Sequence, residues 1–126
     1  MNAYMNQYQN NHVLTASREQ ILIMLYDGAI RFVRQAKAAI SENRMGDKAT
    51  AITKALAIVT EFSNTLDFEV GGEIALDLKS LYDFLITELT AVNLHSELSR
   101  LDPVENILLD LRGAFAEAIE IMQQEA

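Results

Sequence analysis

The chain predicts an all-α fold, an elongated antiparallel four-helix bundle with a flexible N-terminal arm. Three observations predict it. Apolar residues recur three and four positions apart along four separate segments, the period of a helix with one buried face. Half of the 126 residues are hydrophobic while only one is proline and five are glycine, a balance suited to packed helices rather than to a many-turned β fold. Short connections separate the segments, which makes consecutive helices antiparallel neighbours. At this length the chain is one domain, divided into an arm or cap over residues 1–16 and a bundle over 17–126.

The first fourteen residues, MNAYMNQYQNNHVL, contain no charged Lys, Arg, Asp or Glu, and six of the first twelve are Asn or Gln. Amides compete with the backbone for hydrogen bonds and weaken a helix, so this segment reads as a loose arm carrying Met5, Tyr8 and Val13. The first helix starts at Ser17, whose hydroxyl caps while Gln20 bonds back. It runs to about Glu42, where Asn43 to Gly46 stop it. Leu22, Tyr26, Ala29, Val33, Ala36 and Ile40 form its stripe. The second helix is expected to be capped by Asp47 and to reach Leu66, with Ile52, Leu56, Val59 and Leu66 on one stripe and Ala51, Ala55, Ile58 and Phe62 on another. The segment 67-DFEVGGE-73 reads as a turn whose glycines take conformations closed to other residues.

The third helix is expected from about Gly72 to His95, with Ile74, Leu78, Leu81, Leu85 and Val92 in phase. Residues 96–101 read as a short helical turn or a linker. The fourth helix opens at 102-DPVE-105, with Asp102 as cap and Pro103 in the first turn. Its stripe is Val104, Leu108, Leu111, Phe115, Ala118 and Met122.

Several kinds of function lose their footing at this stage. No cysteine is present, which removes disulfides and cysteine-based metal or nucleophilic chemistry. A formal net charge of −8 opposes nucleic acid, which needs a basic face, and docking on an anionic membrane. No apolar run approaches the ~18–20 residues of a membrane span, and no signal peptide is evident, so the expected location is cytoplasmic with no membrane insertion. A di-iron bundle needs Glu-x-x-His pairs, whereas the residues three before His12 and His95 are Gln9 and Val92. A calcium loop starting at Asp67 would end on Leu78 where a bidentate Glu belongs. His95 is followed by Ser96, Glu97 and Leu98, not by the lysine and glycine of a phosphotransfer helix, and it reads as a solvated residue favoured by the helix dipole. The expectation is no catalytic residue, no metal and no cofactor, hence no enzyme.

The apolar residues exceed what one interior needs. Beside its main stripe the first helix carries Ile21, Leu25, Gly28 and Phe32, widened by Ile23, Met24 and Ile30. That arc is broader than the ~100° one core face requires. The third helix repeats this with Tyr82, Phe84, Ile86 and Leu89, and in the fourth Ile107 and Leu109 flank Leu108. An exposed apolar patch of this kind marks a binding surface, and a partner helix fits a groove between two helices. Gly28 and Gly113 each cost ~1 kcal/mol against Ala inside a helix, which close approach of another helix, a partner's or one of the bundle's own, would offset. The arm would then serve as a removable cover. The rival reading makes the surplus surface a homodimer interface.

At this point the residues carry a family resemblance. The sequence is similar to FliS, the flagellin export chaperones. The likeness is densest in 8-YQNNHVLTASREQILIMLYDGAIRF-32 and continues through 66-LDFEVGGEIA-75, Leu81-Tyr82-Asp83, Asn93 and Leu111-Arg112. It departs from the family pattern at Arg18 (usually proline), Leu14 (usually Asn) and Phe115 (commonly tryptophan). The resemblance implies a non-enzymatic four-helix bundle that binds the disordered C-terminal region of flagellin in the cytosol. The client would fold into helices around the bundle, be kept from premature polymerisation, and pass to the flagellar type III export gate. By position it assigns Tyr8 and Val13 to the cover, Leu25, Tyr26 and Ile30 to the first-helix motif, and Leu66, Ile74, Leu81 and Tyr82 to recurrent apolar positions. With the second stripes, the expected partner surface is Tyr8, Val13, Ile21, Leu25, Tyr26, Gly28, Ile30, Ile58, Phe62, Leu66, Ile74, Leu81, Tyr82 and Leu85.

Overall fold

The structure, a computed structural model, describes residues 17–125. Four helices follow one another: α1 (Arg18–Ser41), α2 (Met45–Asn64), α3 (Phe68–His95) and α4 (Leu101–Glu125), with a 3₁₀ turn at Leu98–Arg100 before the last. Each helix packs on the next, and α4 closes the ring against α1. The four-helix bundle expected from the periodicity is present, with no strand among the described residues.

Helix ends show how the sequence dictates the elements. Ser17 Oγ accepts from the Gln20 backbone N–H at 3.1 Å and the Gln20 side chain accepts from Ser17 N at 3.1 Å, the reciprocal cap expected there. At the other end Asn43 takes a φ of 57°, a left-handed conformation that Asn tolerates. That lets Arg44 N–H reach the Ala39 carbonyl at 2.7 Å.

Three boundaries differ from expectation. Helix α2 begins at Met45 with no side-chain cap; Asp47 lies inside the first turn, where its carboxylate suits the positive helix end and binds Arg44 at 2.6 Å. The segment after Asp67 is a helical turn rather than a loop: Asp67 Oδ1 accepts from the N–H groups of Glu69 and Val70, both at 3.0 Å. Only at Gly72, with φ 52° and ψ −126°, does α3 break and restart. Asp102 does not cap α4, which continues directly from the 3₁₀ turn; Asp102 and Glu105 instead hold Lys37 of α1 at 2.7 and 3.3 Å.

The core is built from Tyr26, Ala29, Val33 and Ala36 of α1; Ile52, Ala55, Val59 and Phe62 of α2; Tyr82, Leu85, Leu89 and Val92 of α3; and Leu101, Val104 and Leu108 of α4. Two stripes fall short of their predicted reach. In α3 the inward residue after the kink is Ala75, not Ile74, which is 71% exposed. In α4 burial ends with Leu108; Leu111 and Phe115 are half-buried, and Ala118 and Met122 are exposed. Among the described residues one charge is buried: Lys48 is 7% exposed, and its ammonium donates to the Asn93 carbonyl at 3.1 Å and to Ser96 Oγ at 2.8 Å. A cation on the last carbonyls of α3 satisfies groups a helix end leaves unpaired.

Candidate partner-binding grooves

Antiparallel packing places the N-terminus of α1, the C-terminus of α2, the N-terminus of α3 and the C-terminus of α4 at one end of the bundle. There a groove of about 290 Å³ opens, lined by Leu22, Phe62, Leu66, Val70, Ile74, Leu78, Tyr82 and Phe115, with Gly71 and Ala75 on its wall. Its floor is aromatic. Tyr26 stacks on Phe62 with ring centres 4.4 Å apart and on Phe115 at 5.6 Å, and Phe62 lies 5.6 Å from Tyr82. The hydroxyls of Tyr26 and Tyr82 share a buried hydrogen bond of 2.7 Å. Each phenol thus finds its partner in the other. Burial pushes both above the ordinary tyrosine value; the shared bond raises Tyr26 further and pulls Tyr82 the other way.

A second apolar groove, of about 260 Å³, lies between α1 and α2 and is lined by Ile21, Met24, Leu25, Gly28, Arg31, Phe32 and Ile58. A Cβ at Gly28 would meet Ile58 Cδ1 at 3.6 Å, ordinary van der Waals contact. The neighbour at Gly28 is therefore a side chain of the bundle rather than a closely approaching backbone. At Gly113 nothing lies within 4 Å of an added Cβ, so no neighbour in the described bundle accounts for that glycine.

The expected partner surface divides as follows. Phe62, Leu66, Ile74 and Tyr82 come together at the end groove, and Ile21, Leu25, Gly28 and Ile58 at the side groove. Tyr26 and Leu85 are fully buried core, Tyr26 directly beneath the end groove. Ile30 is 5% exposed and forms the floor of a third groove, between α1 and α4. Leu81 is half-buried and lines neither apolar groove. Tyr8 and Val13 lie outside the described residues. Sequence reasoning missed Leu22, Val70, Leu78 and Phe115 on the end groove: Leu22, Leu78 and Phe115 were read as stripe residues of the core, and Val70 sat in what read as a turn. An apolar side chain between a helix-capping Asp67 and a glycine pair was the available signal.

The family model of the flagellar protein FliS matches residues 1–123. The chain belongs to the FliS family. It is 35% identical over 112 residues to the flagellar secretion chaperone FliS of Campylobacter jejuni, covering 89% of this chain and 88% of that protein. The FliS of Bacillus subtilis is 32% identical over 113 residues, covering 90% and 84%, and that of Salmonella typhimurium 32% over 114 residues, again 90% and 84%. A crystal structure of a bacterial flagellar chaperone superposes with a TM-score of 0.77 at 19% identity, covering 94% of this chain and 96% of the other, a likeness of fold. FliS is a family of chaperones and not of enzymes. Among the described residues no helix is long and apolar enough to cross a membrane.

Proposed function

We propose that this FliS-family chain is a cytoplasmic export chaperone that holds the disordered C-terminal region of flagellin in its two apolar grooves. The observation that carries the reading is the exposed apolar surface around the end groove: Val70 is 87% exposed and Ile74 71%, with Phe68, Leu76, Ile121 and Met122 also open to solvent. A run of exposed apolar side chains beside a groove is the usual mark of a binding surface. A tail that folds into amphipathic helices would lay its apolar side chains into the grooves. It would bury on the order of 1,000–3,000 Å², offset by the cost of ordering. That balance permits firm holding and later release to the flagellar type III export gate. While held, the polymerising segment is occupied and premature assembly is blocked.

The arm has a place in this reading. Helix α1 starts at the mouth of the end groove, which Leu22 lines, and the arm precedes α1 in sequence. Tyr8 and Val13 would cover the groove when no client is bound. Calorimetric titration of a flagellin C-terminal peptide tests the reading: binding with a negative heat-capacity change and a gain of helix in the peptide is expected, and removal of residues 1–13 should tighten it while leaving the bundle helical. Absence of binding, together with a permanent dimer by light scattering, would favour the rival in which a second copy covers the patch.

A further inference from the structure

The third groove is unlike the other two. It runs between α1 and α4, measures about 760 Å³, and is lined by Asp27, Ile30, Arg31, Arg34, Gln35, Ala38, Leu109 and Arg112. Three of the ten basic residues of a chain with net charge −8 face it. Arg112 is held in place by its fork on Asp27, at 2.8 and 3.4 Å. The other two have charge to spare. Arg31 makes no ion pair among the described residues; its guanidinium lies 5.3 Å from the centre of the Phe32 ring. Arg34 has a 58% exposed side chain and only a 3.4 Å contact with Glu105, a carboxylate that Lys37 also binds at 3.3 Å. Between the arginines the surface is small and apolar, with Ala38 on one wall and Leu109 on the other.

We infer that this α1/α4 groove docks an acidic amphipathic helix of a partner protein, one that sets two carboxylates a turn apart against Arg31 and Arg34 and an apolar side chain against Leu109 and Ala38. Charge complementarity carries the assignment. An elsewhere acidic surface repels such a helix, so the groove is where it is attracted and oriented. Planar guanidinium forks match carboxylates in two-point contacts. The lining positions 27, 31, 34 and 38 lie on one face of α1 and span about 16 Å at 1.5 Å per residue, room for about three helical turns. A nucleic acid would present phosphates to the same arginines, but it would also have to approach the negative remainder of the molecule. The inference does not depend on what the apolar grooves bind.

The test uses the full chain and a capped alanine-based helical peptide of about four turns, with Glu at positions i and i+4 and a leucine on the same face. Its Gln-for-Glu counterpart is the control. Titration followed by backbone NMR should shift Arg34, Gln35, Ala38 and Leu109 and bind the Glu peptide at least about tenfold tighter than the Gln peptide. The affinity should fall as salt rises from about 50 to 300 mM. Arg34→Glu, an exposed substitution that leaves the fold intact, should lose about tenfold and regain it against a peptide with Lys in place of Glu. Leu109→Glu should weaken the Glu peptide as well. No shift at these residues up to about 1 mM peptide, equal binding of Glu and Gln peptides, or shifts confined to the α1/α2 groove would overturn the proposal. So would groove resonances that move on simple dilution of the protein, since the occupant would then be a second copy.

Discussion

The two ends of this bundle are made from similar residues and differ in how much of them they enclose. At the end where α1 and α3 finish and α2 and α4 begin, Val33, Ala36, Ile52, Leu89, Val92, Leu101 and Val104 are fully enclosed. Lys48 ties the start of α2 to the close of α3, and Lys37 ties α1 to the start of α4. At the other end, apolar residues of the same size stand in solvent on α3 and α4. The difference is geometric. Enclosure needs four helices at each level, and α3 and α4, which meet only weakly, leave the end groove open between them. Hydrophobicity says how much surface wants covering; the helix arrangement says how much the chain can cover by itself.

The sharpest way to break this comparison is truncation of equal size at both ends. Leu101→Ala or Leu108→Ala removes a fully buried side chain and should cost about 2–5 kcal/mol, the transfer loss plus the cavity. Ile74→Ala or Met122→Ala should change stability by less than about 0.5 kcal/mol. Urea denaturation of the four variants measures both. Comparable losses at the two ends would mean that the open end is a second core.

Between the ends lies the Tyr26–Tyr82 bond, where core and groove floor meet. Tyr26→Phe leaves the Tyr82 hydroxyl buried beside a ring that accepts nothing and should cost about 1–3 kcal/mol. The Tyr26→Phe/Tyr82→Phe double variant removes both partners and should recover much of that loss, which a double-mutant cycle reads. The bond also predicts a pH limit. Both phenols are raised above the ordinary value of about 10, so above that pH the unfolded chain ionises while the folded one does not. Stability is full below about pH 10 and falls as pH rises further. The double variant should lose this decline in denaturant melts taken across that range.

How much of this was legible beforehand follows from what a period can encode. The four helices, the Ser17 cap and the stop at Asn43 were readable because each is local: a spacing, a capping pair, a residue that accepts positive φ. The distinction between core and groove was not, because Ile74 and Leu85 share one predicted stripe of α3, yet Leu85 is fully buried and Ile74 is 71% exposed. The Tyr26–Tyr82 pair joins residues 56 positions apart, which no local pattern links. The break in α3 was half-legible: two glycines marked it, but only Gly72 takes the positive φ, and Asp67 makes a helical turn of what precedes it. Gly72→Ala should therefore cost about 1–3 kcal/mol through backbone strain alone. At Gly71 the added Cβ would instead sit 2.8 Å from that of Ala75, so Gly71→Ala is a packing conflict. A melt in which Gly72→Ala matched the wild type would show that the break in α3 is not held in solution.

The smallest expected effect on stability is the most informative about function. Ile74→Glu places a charge on a side chain that already stands in water, so the melting midpoint should move by little, within about 0.5 kcal/mol. The same charge would be buried and unpaired once a client helix lies in the end groove. Desolvating it costs several kcal/mol, which is a loss of at least about a hundredfold in affinity. An equivalent change at Leu94, 73% exposed on the far stretch of α3, also leaves stability alone but touches neither groove, and client affinity should survive it. Calorimetry on the two variants separates a groove that holds the client from a chain that is merely greasy along one helix: loss at position 74 with retention at 94 supports the end groove, and equal losses place the client along the whole face of α3.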